Sequence, residues 1–279
     1  MNLNLMYITN NPVIAKIAEK SGVDWIFLDL EINGKEERQG HLDTVISRHK
    51  ISDVNKIKGA LTKSKLVVRV NPIFEGSQTE IKRVIDDGAD IIMLPYFKCK
   101  DEVDTFVKYV DKRAKTMLLL ETPEAVENID DILNVNGIDY IHIGLNDLHL
   151  GYGMKFMFEL LADGTVERLC NKFKSVGIPY GFGGIAQLGK GELPAEKIIT
   201  EHYRLGSSMV ILSRSFCNID LHDNLEFIDN IFHKGVKAIR EFEKDNILKN
   251  KEYLMENKIA VIRKVTEIQN SQSKYLVKK

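Results

Sequence analysis

Short apolar runs alternate with amphipathic segments eight times between Leu5 and Phe242, and this alternation restricts the possible folds more than any other feature. The runs WIFLDL (25–30) and LVVRV (66–70) are almost continuously apolar, which is typical of parallel strands covered on both faces. The segments between the runs repeat apolar residues at spacings of three and four, as helices packed on a sheet do. Eight strand–helix units in this length predict a (β/α)8 barrel, which usually needs about 250 residues.

An open doubly wound sheet is the other arrangement of such units. It is disfavoured here because no GxGxxG motif follows the first strand. The barrel is therefore predicted over residues 1–243. Residues 244–279 are charged and contain neither glycine nor proline. They are predicted to form extra C-terminal helices that pack on the barrel or on another subunit.

The composition excludes several functional classes. A formal net charge of −1 offers no basis for binding nucleic acid or an anionic membrane. The three cysteines, Cys99, Cys170 and Cys217, match neither a disulfide framework nor a zinc motif, and they fit a reducing compartment. No apolar run approaches the ~20 residues of a membrane helix, and no basic segment precedes an apolar core at the N-terminus. A cytoplasmic protein without nucleic-acid or membrane partners is expected.

Charged side chains stand at the predicted strand ends, where barrel enzymes gather their chemistry. Glu31 follows the second strand, Glu121 the fifth and Asp147 the sixth, while Arg69 lies within the third. Carboxylates without histidine or cysteine partners suit Mg2+ or Mn2+, so Glu121 and Asp147 are candidate metal ligands. An arginine in an apolar strand requires a partner, and for Arg69 a substrate carboxylate is one candidate. The alternative is a set of ordinary strand-end acids and a structural ion pair.

A metal ion beside Arg69 would suit a 2-oxo acid held through its carboxylate and keto oxygens. The same groups would stabilise the enolate that forms when an adjacent carbon–carbon bond breaks. Other chemistries have less support, because none of the predicted strands carries a lysine for a Schiff base and no GxSxG motif occurs.

Five segments in this order resemble the HpcH/HpaI aldolase and citrate lyase family. They extend from about Gly22 to Gly151 and read SGVDWIFLDLE, VVRVNP, IKRVIDDGADIIMLP, LLLETPEAVENIDDILNVNGID and IHIGLNDLHLGYG. The resemblance implies a barrel of the type that binds pyruvate or phosphoenolpyruvate, and a metal-dependent carbon–carbon lyase. It also implies a homo-oligomer built from dimers, for example a hexamer.

The resemblance also implies roles for single residues. By position, Glu121 and Asp147 become the metal ligands, and Arg69 binds the carboxylate or enolate of pyruvate. Asp86 matches an acid that helps to hold a water or the catalytic histidine, often from a neighbouring subunit. Gly144 lies in the segment that lines the pyruvate pocket.

Two positions depart from the family pattern. Ile32 stands where the aldolases carry the histidine that acts as base, and Leu145 stands where they carry a proline in the substrate-binding segment. Candidates for a replacement base are His149, a metal-bound hydroxide held by Glu31, and His41. His41 is preferred because its polar loop has the length of mobile lids. No role is assigned from the sequence to the other histidines, His49, His142, His202, His222 and His233.

Glycines and an arginine follow the last two predicted strands, in GFGGIAQLGKGELP and SRSF. Many barrels bind a phosphate in this region, so Gly184 and Arg214 are candidates for holding a phosphate or the far end of a sugar acid. The alternative is that the glycines permit tight turns and Arg214 forms an ion pair with a barrel acid.

Together these features predict an aldolase that uses Mg2+ or Mn2+ and makes or breaks a bond to pyruvate or a similar 2-oxo acid. Its partner would be a small 2-oxo acid or sugar acid. One alternative is a lyase of the citramalyl- or malyl-coenzyme A type, because the citrate lyase branch also lacks the histidine. The other is a non-catalytic barrel that binds a metal and an oxo acid.

Overall fold

The computed structural model describes residues 2–33, 49–221 and 224–276. Its eight strands close into one barrel in sequence order, so the predicted (β/α)8 fold is confirmed. The strands are β1 (Asn4–Ile8), β2 (Trp25–Asp29), β3 (Lys65–Arg69), β4 (Ile91–Leu94), β5 (Lys115–Leu120), β6 (Tyr140–Ile143), β7 (Tyr180–Ile185) and β8 (Met209–Leu212).

The described helices follow the strands, with the longest ones at the C-terminus. They are α1 (Pro12–Lys20), α2 (Ser52–Ala60), α3 (Ser77–Asp86), α4 (Lys100–Val110), α5 (Pro123–Glu127), α6 (Ile129–Ile132), α7 (Leu145–Gly151), α8 (Glu159–Ala162), α9 (Thr165–Ser175), α10 (Ala195–Leu205), α11 (Leu225–Ile247) and α12 (Lys251–Leu276). None of the described helices combines the length and the apolar character required to span a bilayer.

The chain groups into two compact units, one of residues 5–142 and one of residues 1–4 with 143–279. In the first unit β2 pairs in parallel with β1 and β3. Every side chain of β2 is buried, as its continuous apolar run predicts for a strand covered on both faces. Asp29, the last residue of β2, is the one charged side chain in this strand, and its carboxylate is buried.

Two predicted helices are interrupted in the structure. The sequence predicts a long helical region over 156–176, but Gly164 adopts φ +84° and separates α8 from α9. Similarly, Asn128 leaves the helical conformation and separates α5 from α6. Gly183 and Gly184, predicted to follow the seventh strand, lie inside β7 instead. In the second unit, a Cβ on Gly183 would stand 2.7 Å from Leu145 Cδ1, so this part of the strand needs glycine.

The predicted boundary at residue 243 falls within the continuous helix α11. Glu243 is fully buried, and its Oε1 accepts hydrogen bonds from the Leu3 backbone N–H (2.7 Å) and the Tyr203 hydroxyl (3.0 Å). Arg240 donates to the other oxygen at 2.7 Å. Glu243 therefore fastens the N-terminal residues to the second unit.

Glu19 near the end of α1 holds the turn before β3 in the first unit. Its Oε1 accepts backbone hydrogen bonds from Thr62 (2.9 Å), Lys63 (2.7 Å) and Ser64 (2.7 Å), and its Oε2 accepts from the Thr62 hydroxyl (3.0 Å). Burial alone would raise the pKa of Glu19, but these donors outweigh it and the pKa is lowered. The carboxylate is thus more strongly bonded when it is ionised.

We predict that Glu19→Gln lowers the free energy of unfolding by about 1 kcal/mol at pH 7, because charge-assisted bonds become neutral ones. A lowered folded-state pKa contributes stability above the ordinary value of 4.5 that is lost as the pH falls through the folded value. The difference from wild type, measured by urea unfolding, should therefore shrink below pH 4.5. A difference that stays constant below pH 4.5 would contradict the role of ionised Glu19 in stabilising the turn before β3. So would an equal loss of stability in the control Glu192→Gln, which alters an exposed side chain.

Candidate active site

Arg69 and Asp29 form a bidentate ion pair at the carboxyl ends of β3 and β2. The two residues are directly opposite each other in the strand register. Arg69 Nε donates to Asp29 Oδ1 and Nη2 donates to Oδ2, both at 2.8 Å. Glu31 adds a second carboxylate, with its Oε2 3.3 Å from Arg69 Nη1. Asp29 and Glu31 are 1% and 0% exposed, so this cluster is shielded from water.

The surroundings keep Arg69 charged. Burial acts to lower its pKa, but Asp29 and Glu31 act in the opposite direction, and Glu121 contributes too. The pKa of Arg69 is consequently raised above its usual value. The guanidinium also lies over the Phe27 ring, with Arg69 Cζ 5.6 Å from the ring centroid. This cation–π contact further restricts the position of the guanidinium.

Glu121 is held by the loop that follows β4. Its Oε1 accepts a 3.1 Å hydrogen bond from the backbone N–H of Tyr96, which adopts φ +50°. Such a conformation is uncommon for a residue with a large side chain, and strain of this kind gathers at functional sites. The Thr122 hydroxyl donates to the Phe97 carbonyl at 2.7 Å and caps α5 by accepting from Ala125 N–H. Glu121 is thereby fixed through its own carboxylate and through the next residue.

Asn71 fixes the chain directly after Glu31. Its Oδ1 accepts backbone hydrogen bonds from Ile32 and Asn33, both at 2.9 Å. Its own Nδ2 donates to Glu80 Oε1 at 2.6 Å. Burial raises the pKa of Glu80, against the lowering effect of the hydrogen bonds that the Asn71 side chain and backbone N–H donate to it. The Ile32 side chain is 57% exposed, so this position acts here through its backbone.

The remaining predicted residues of the first unit lie apart from Arg69. Asp86 is the last residue of α3, and its side chain is 51% exposed. It pairs with Lys82 at 2.6 Å and with Arg113 at 3.8 Å, and Arg113 lies two residues before the amino end of β5. Within one chain Asp86 is therefore at the end of the strands opposite to Glu121. His41, the preferred base, lies outside the described residues.

In the second unit the predicted residues surround the start of α7 and the ends of two strands. Gly144 is the N-cap of α7, and Asp147 lies in its first turn. Leu145 is buried against the position of Gly183 in β7, and Gly184 lies beside the carbonyl of Ile211. Arg214 is exposed in the turn after β8. His149 is buried, and its Nδ1 lies 3.1 Å from the Leu145 carbonyl oxygen, its hydrogen-bond partner within the same helix.

The family model described as HpcH/HpaI aldolase/citrate lyase matches residues 4–158, more than half of the chain. The chain belongs to this family. The match covers the first unit and the start of the second, including Arg69, Glu121 and Asp147.

Two curated relatives share about a quarter of the aligned residues. The 2-keto-3-deoxy-L-rhamnonate aldolase of Escherichia coli O17:K52:H18 is 25% identical over 185 residues, 55% of this chain and 63% of the relative. The protein of that name from Shigella dysenteriae serotype 1 is 25% identical over 219 residues, 67% of this chain and 76% of the relative. The chain thus spans less than two thirds of the length of the first.

Solved structures share the fold. An HpcH/HpaI aldolase from Desulfitobacterium hafniense DCB-2 aligns with a TM-score of 0.60 at 18% identity, over 86% of this chain and 93% of its own. The citrate synthase SbnG aligns with a TM-score of 0.60 at 18% identity, over 79% and 90%. At these identities the likeness extends to the barrel alone.

Several residues of the candidate site were not predicted from the sequence. Asp29 had a detectable signal, because a carboxylate within an apolar run requires a partner such as Arg69. Tyr96 and Asn71 had no detectable signal in the sequence. Tyr96 acts through its backbone N–H, and Asn71 acts through contacts with residues distant in sequence. His49 was assigned no role, yet its Nδ1 accepts a hydrogen bond from the Asp29 backbone N–H.

We predict that Asp29→Asn lowers the free energy of unfolding by about 3 kcal/mol, because it removes the buried charge that pairs with the Arg69 guanidinium, itself only 12% exposed. Urea unfolding at pH 7 measures the loss. Asp86→Asn is the matched control, and it should change stability no more than an ordinary surface substitution does. Equal losses in the two variants would show that the Asp29–Arg69 pair contributes no more to the free energy of unfolding than an exposed ion pair does.

Proposed function

We propose that this protein is a metal-dependent aldolase that makes or breaks a carbon–carbon bond to pyruvate or a similar 2-oxo acid. The observation that carries the proposal is Arg69 at the carboxyl end of β3, whose side chain is 12% exposed and lies among Asp29, Glu31 and Glu121. A fixed cation at the catalytic end of a barrel suits a carboxylate substrate. Membership of the HpcH/HpaI family supports the same class of reaction.

Glu121 and Asp147 would hold the Mg2+ or Mn2+ ion. The donor set fits, because Glu121 is a buried carboxylate and hard oxygen ligands suit these ions. Hydrogen bonding from Tyr96 N–H is compatible with ligation, since a carboxylate offers about four lone-pair sites. No group of three or more His, Cys, Asp or Glu side chains in the described ranges is arranged to hold a metal. The proposed site accordingly relies on two acids, with water and substrate oxygens completing the coordination.

Arg69 would bind the carboxylate of the 2-oxo acid and stabilise its enolate. A guanidinium has five N–H donors, and the bonds to Asp29 use the Nε–H and one N–H of Nη2. Further N–H groups on Nη1 and Nη2 can then serve a substrate oxygen. Asp29 keeps the guanidinium plane fixed, so the donors need no reorganisation as charge develops on the substrate.

The cleavage step is a retro-aldol reaction. The proton of the C4 hydroxyl passes to solvent, the C3–C4 bond breaks and an aldehyde departs. The bond's electron pair passes into the enolate, whose charge Arg69 would stabilise. A divalent metal held by Glu121 and Asp147 would supply Lewis-acid stabilisation of the same charge. Protonation at C3 then gives pyruvate. A 2-keto-3-deoxy sugar acid, named for the relatives, is a substrate of the required type.

We predict that the protein releases pyruvate from 4-hydroxy-2-oxo acids, such as 2-keto-3-deoxy-L-rhamnonate, only when Mg2+ or Mn2+ is added. Glu121→Gln and Arg69→Lys should each lower kcat/KM about 100-fold or more, because charge stabilisation in the transition state is lost. The matched controls Glu124→Gln and Arg83→Lys alter exposed side chains and should leave kcat/KM within about twofold. A coupled lactate dehydrogenase assay measures the pyruvate.

Two further results would favour the alternative functions. No turnover of any such acid, combined with measured metal binding, would refute the aldolase and favour a non-catalytic barrel. Thermal protection by coenzyme A thioesters, without pyruvate release from free acids, would favour the thioester lyase instead.

We also propose a cytoplasmic homo-oligomer built from dimers. Exposed apolar side chains at the start of α11 and along α12 support association, among them Leu225 (48%), Phe227 (46%), Met255 (48%) and Ile259 (55%). Light scattering at micromolar concentration should give a mass of at least 64 kDa, about twice the 31.8 kDa chain. A mass equal to one chain would exclude it.

A further inference from the structure

The C-terminal helix α12 packs on its own chain through one face, here called the inner face. Lys258 Nζ donates to Glu167 Oε2 at 2.7 Å, and Gln269 Nε2 donates to Glu159 Oε2 at 2.6 Å. The apolar residues of this face are buried, namely Val261, Val265 and Ile268. All of these residues belong to the second unit, so the inner face of α12 is already occupied within one chain.

A second apolar line on α12 is exposed. Met255, Ile259 and Ile262 are 48%, 55% and 36% exposed, and Thr266 follows them on the exposed surface. Steps of four, three and four residues place these four side chains, here called the outer stripe, along one side of the helix. A helix that packs through a single face normally carries polar residues on the rest of its surface. The outer stripe therefore indicates a second packing contact.

Opposite charges lie along the solvent-facing edge of the outer stripe. Glu256 and Arg263 are exposed there and are seven residues apart, which is about two helical turns. The other edge of the stripe borders the inner face, at Lys258 and Val265. One edge of the stripe is thus charged and open, while the other adjoins the body of the second unit.

These two edges determine which partner helix fits. In an antiparallel pair of α12 helices, a twofold axis keeps both charged edges on the same side, so Glu256 lies beside Arg263 of the partner subunit. The same pair forms a second time, because a twofold contact uses each surface twice. In a parallel pair the charged edge of one helix would instead meet the edge that adjoins the body of the other subunit. The outer stripe is therefore complementary to itself in the antiparallel direction.

We propose that the outer stripe of α12 is an interface between two copies of this chain, packed in the antiparallel direction. The inference rests on the proposed homo-oligomer, to which it assigns a surface, and it is independent of the aldolase reaction. In this pair Ile259 packs beside Ile262 of the partner subunit, and Met255 packs beside Thr266 of the partner subunit. Two ion pairs between Glu256 and Arg263 of the partner subunit flank this apolar contact.

Ile259→Glu tests the apolar contact. A charge at the centre of the stripe should lower the mass of the assembly relative to wild type, measured by light scattering at the same concentration. The far-UV circular dichroism spectrum should not change, because the Ile259 side chain is 55% exposed within one chain. Leu225→Glu is the matched control, since Leu225 at the start of α11 is also 48% exposed, and it should retain the wild-type mass.

Exchange of the two charges tests the direction of the pair. Glu256→Arg and Arg263→Glu should each raise the concentration at which the assembly half-dissociates by about tenfold or more, because like charges then meet twice. The double variant Glu256→Arg/Arg263→Glu restores opposite charges and should return to within about threefold of wild type. Glu241→Arg, which alters an exposed side chain of α11, should have no effect. Sedimentation velocity over a micromolar concentration range measures the half-dissociation point.

Each outcome supports or refutes a separate statement. A wild-type protein that is a monomer would refute the homo-oligomer and this interface together. An oligomer whose mass survives Ile259→Glu would overturn the α12 interface and leave the homo-oligomer standing. Single charge variants that associate like wild type, or a double variant as weak as the single ones, would overturn the antiparallel pair. Failure of the aldolase reaction is detected separately, by the pyruvate assay.

Discussion

The bidentate pair between Arg69 and Asp29 is the interaction on which the candidate site depends. Desolvating two charges costs several kcal/mol for each ion, and only a well-aligned fork with further acids offsets that cost. The fork forms because β2 and β3 pair with Asp29 opposite Arg69. A slip of one residue would turn one of these side chains to the other face of the sheet. The pairing register of β2 with β3 therefore determines whether the Asp29–Arg69 ion pair can form.

Backbone contacts place the acids around this pair. The positive φ of Tyr96 costs on the order of 1–3 kcal/mol, and it directs an N–H at Glu121 that an ordinary strand exit would direct elsewhere. Asn71 does the same for the residues after Glu31, with Glu80 supporting it from α3. Such contacts restrict the positions of the carboxylates before any ligand arrives, which is what a site for a developing negative charge requires.

The barrel was readable from the sequence because each strand is an apolar run and each helix has its own period. Arg69, Glu31 and Glu121 were readable because charged residues at the ends of such runs are conspicuous. The features that the sequence did not predict depend on local backbone conformation or on tertiary contacts. Gly164 ends α8 through a positive φ that periodicity does not encode, and β7 continues through glycines that look like a loop. The role of Asp86 stays a prediction: its i,i+4 pair with Lys82 follows from helix spacing, whereas its ion pair with Arg113 depends on tertiary structure.

Ile32 separates the two halves of the proposed chemistry. Its side chain is turned to solvent and its N–H bonds Asn71, so this position serves the enolate half only by fixing the backbone after Glu31. The enolate half relies on rigid groups, namely strand ends, a buried ion pair and a strained loop. For the aldehyde half the sequence predicts His41 as the base, and that residue lies outside the described residues. The enolate half does not contact the aldehyde that departs. Changes in the aldehyde partner would then require changes in the other half and none at Arg69.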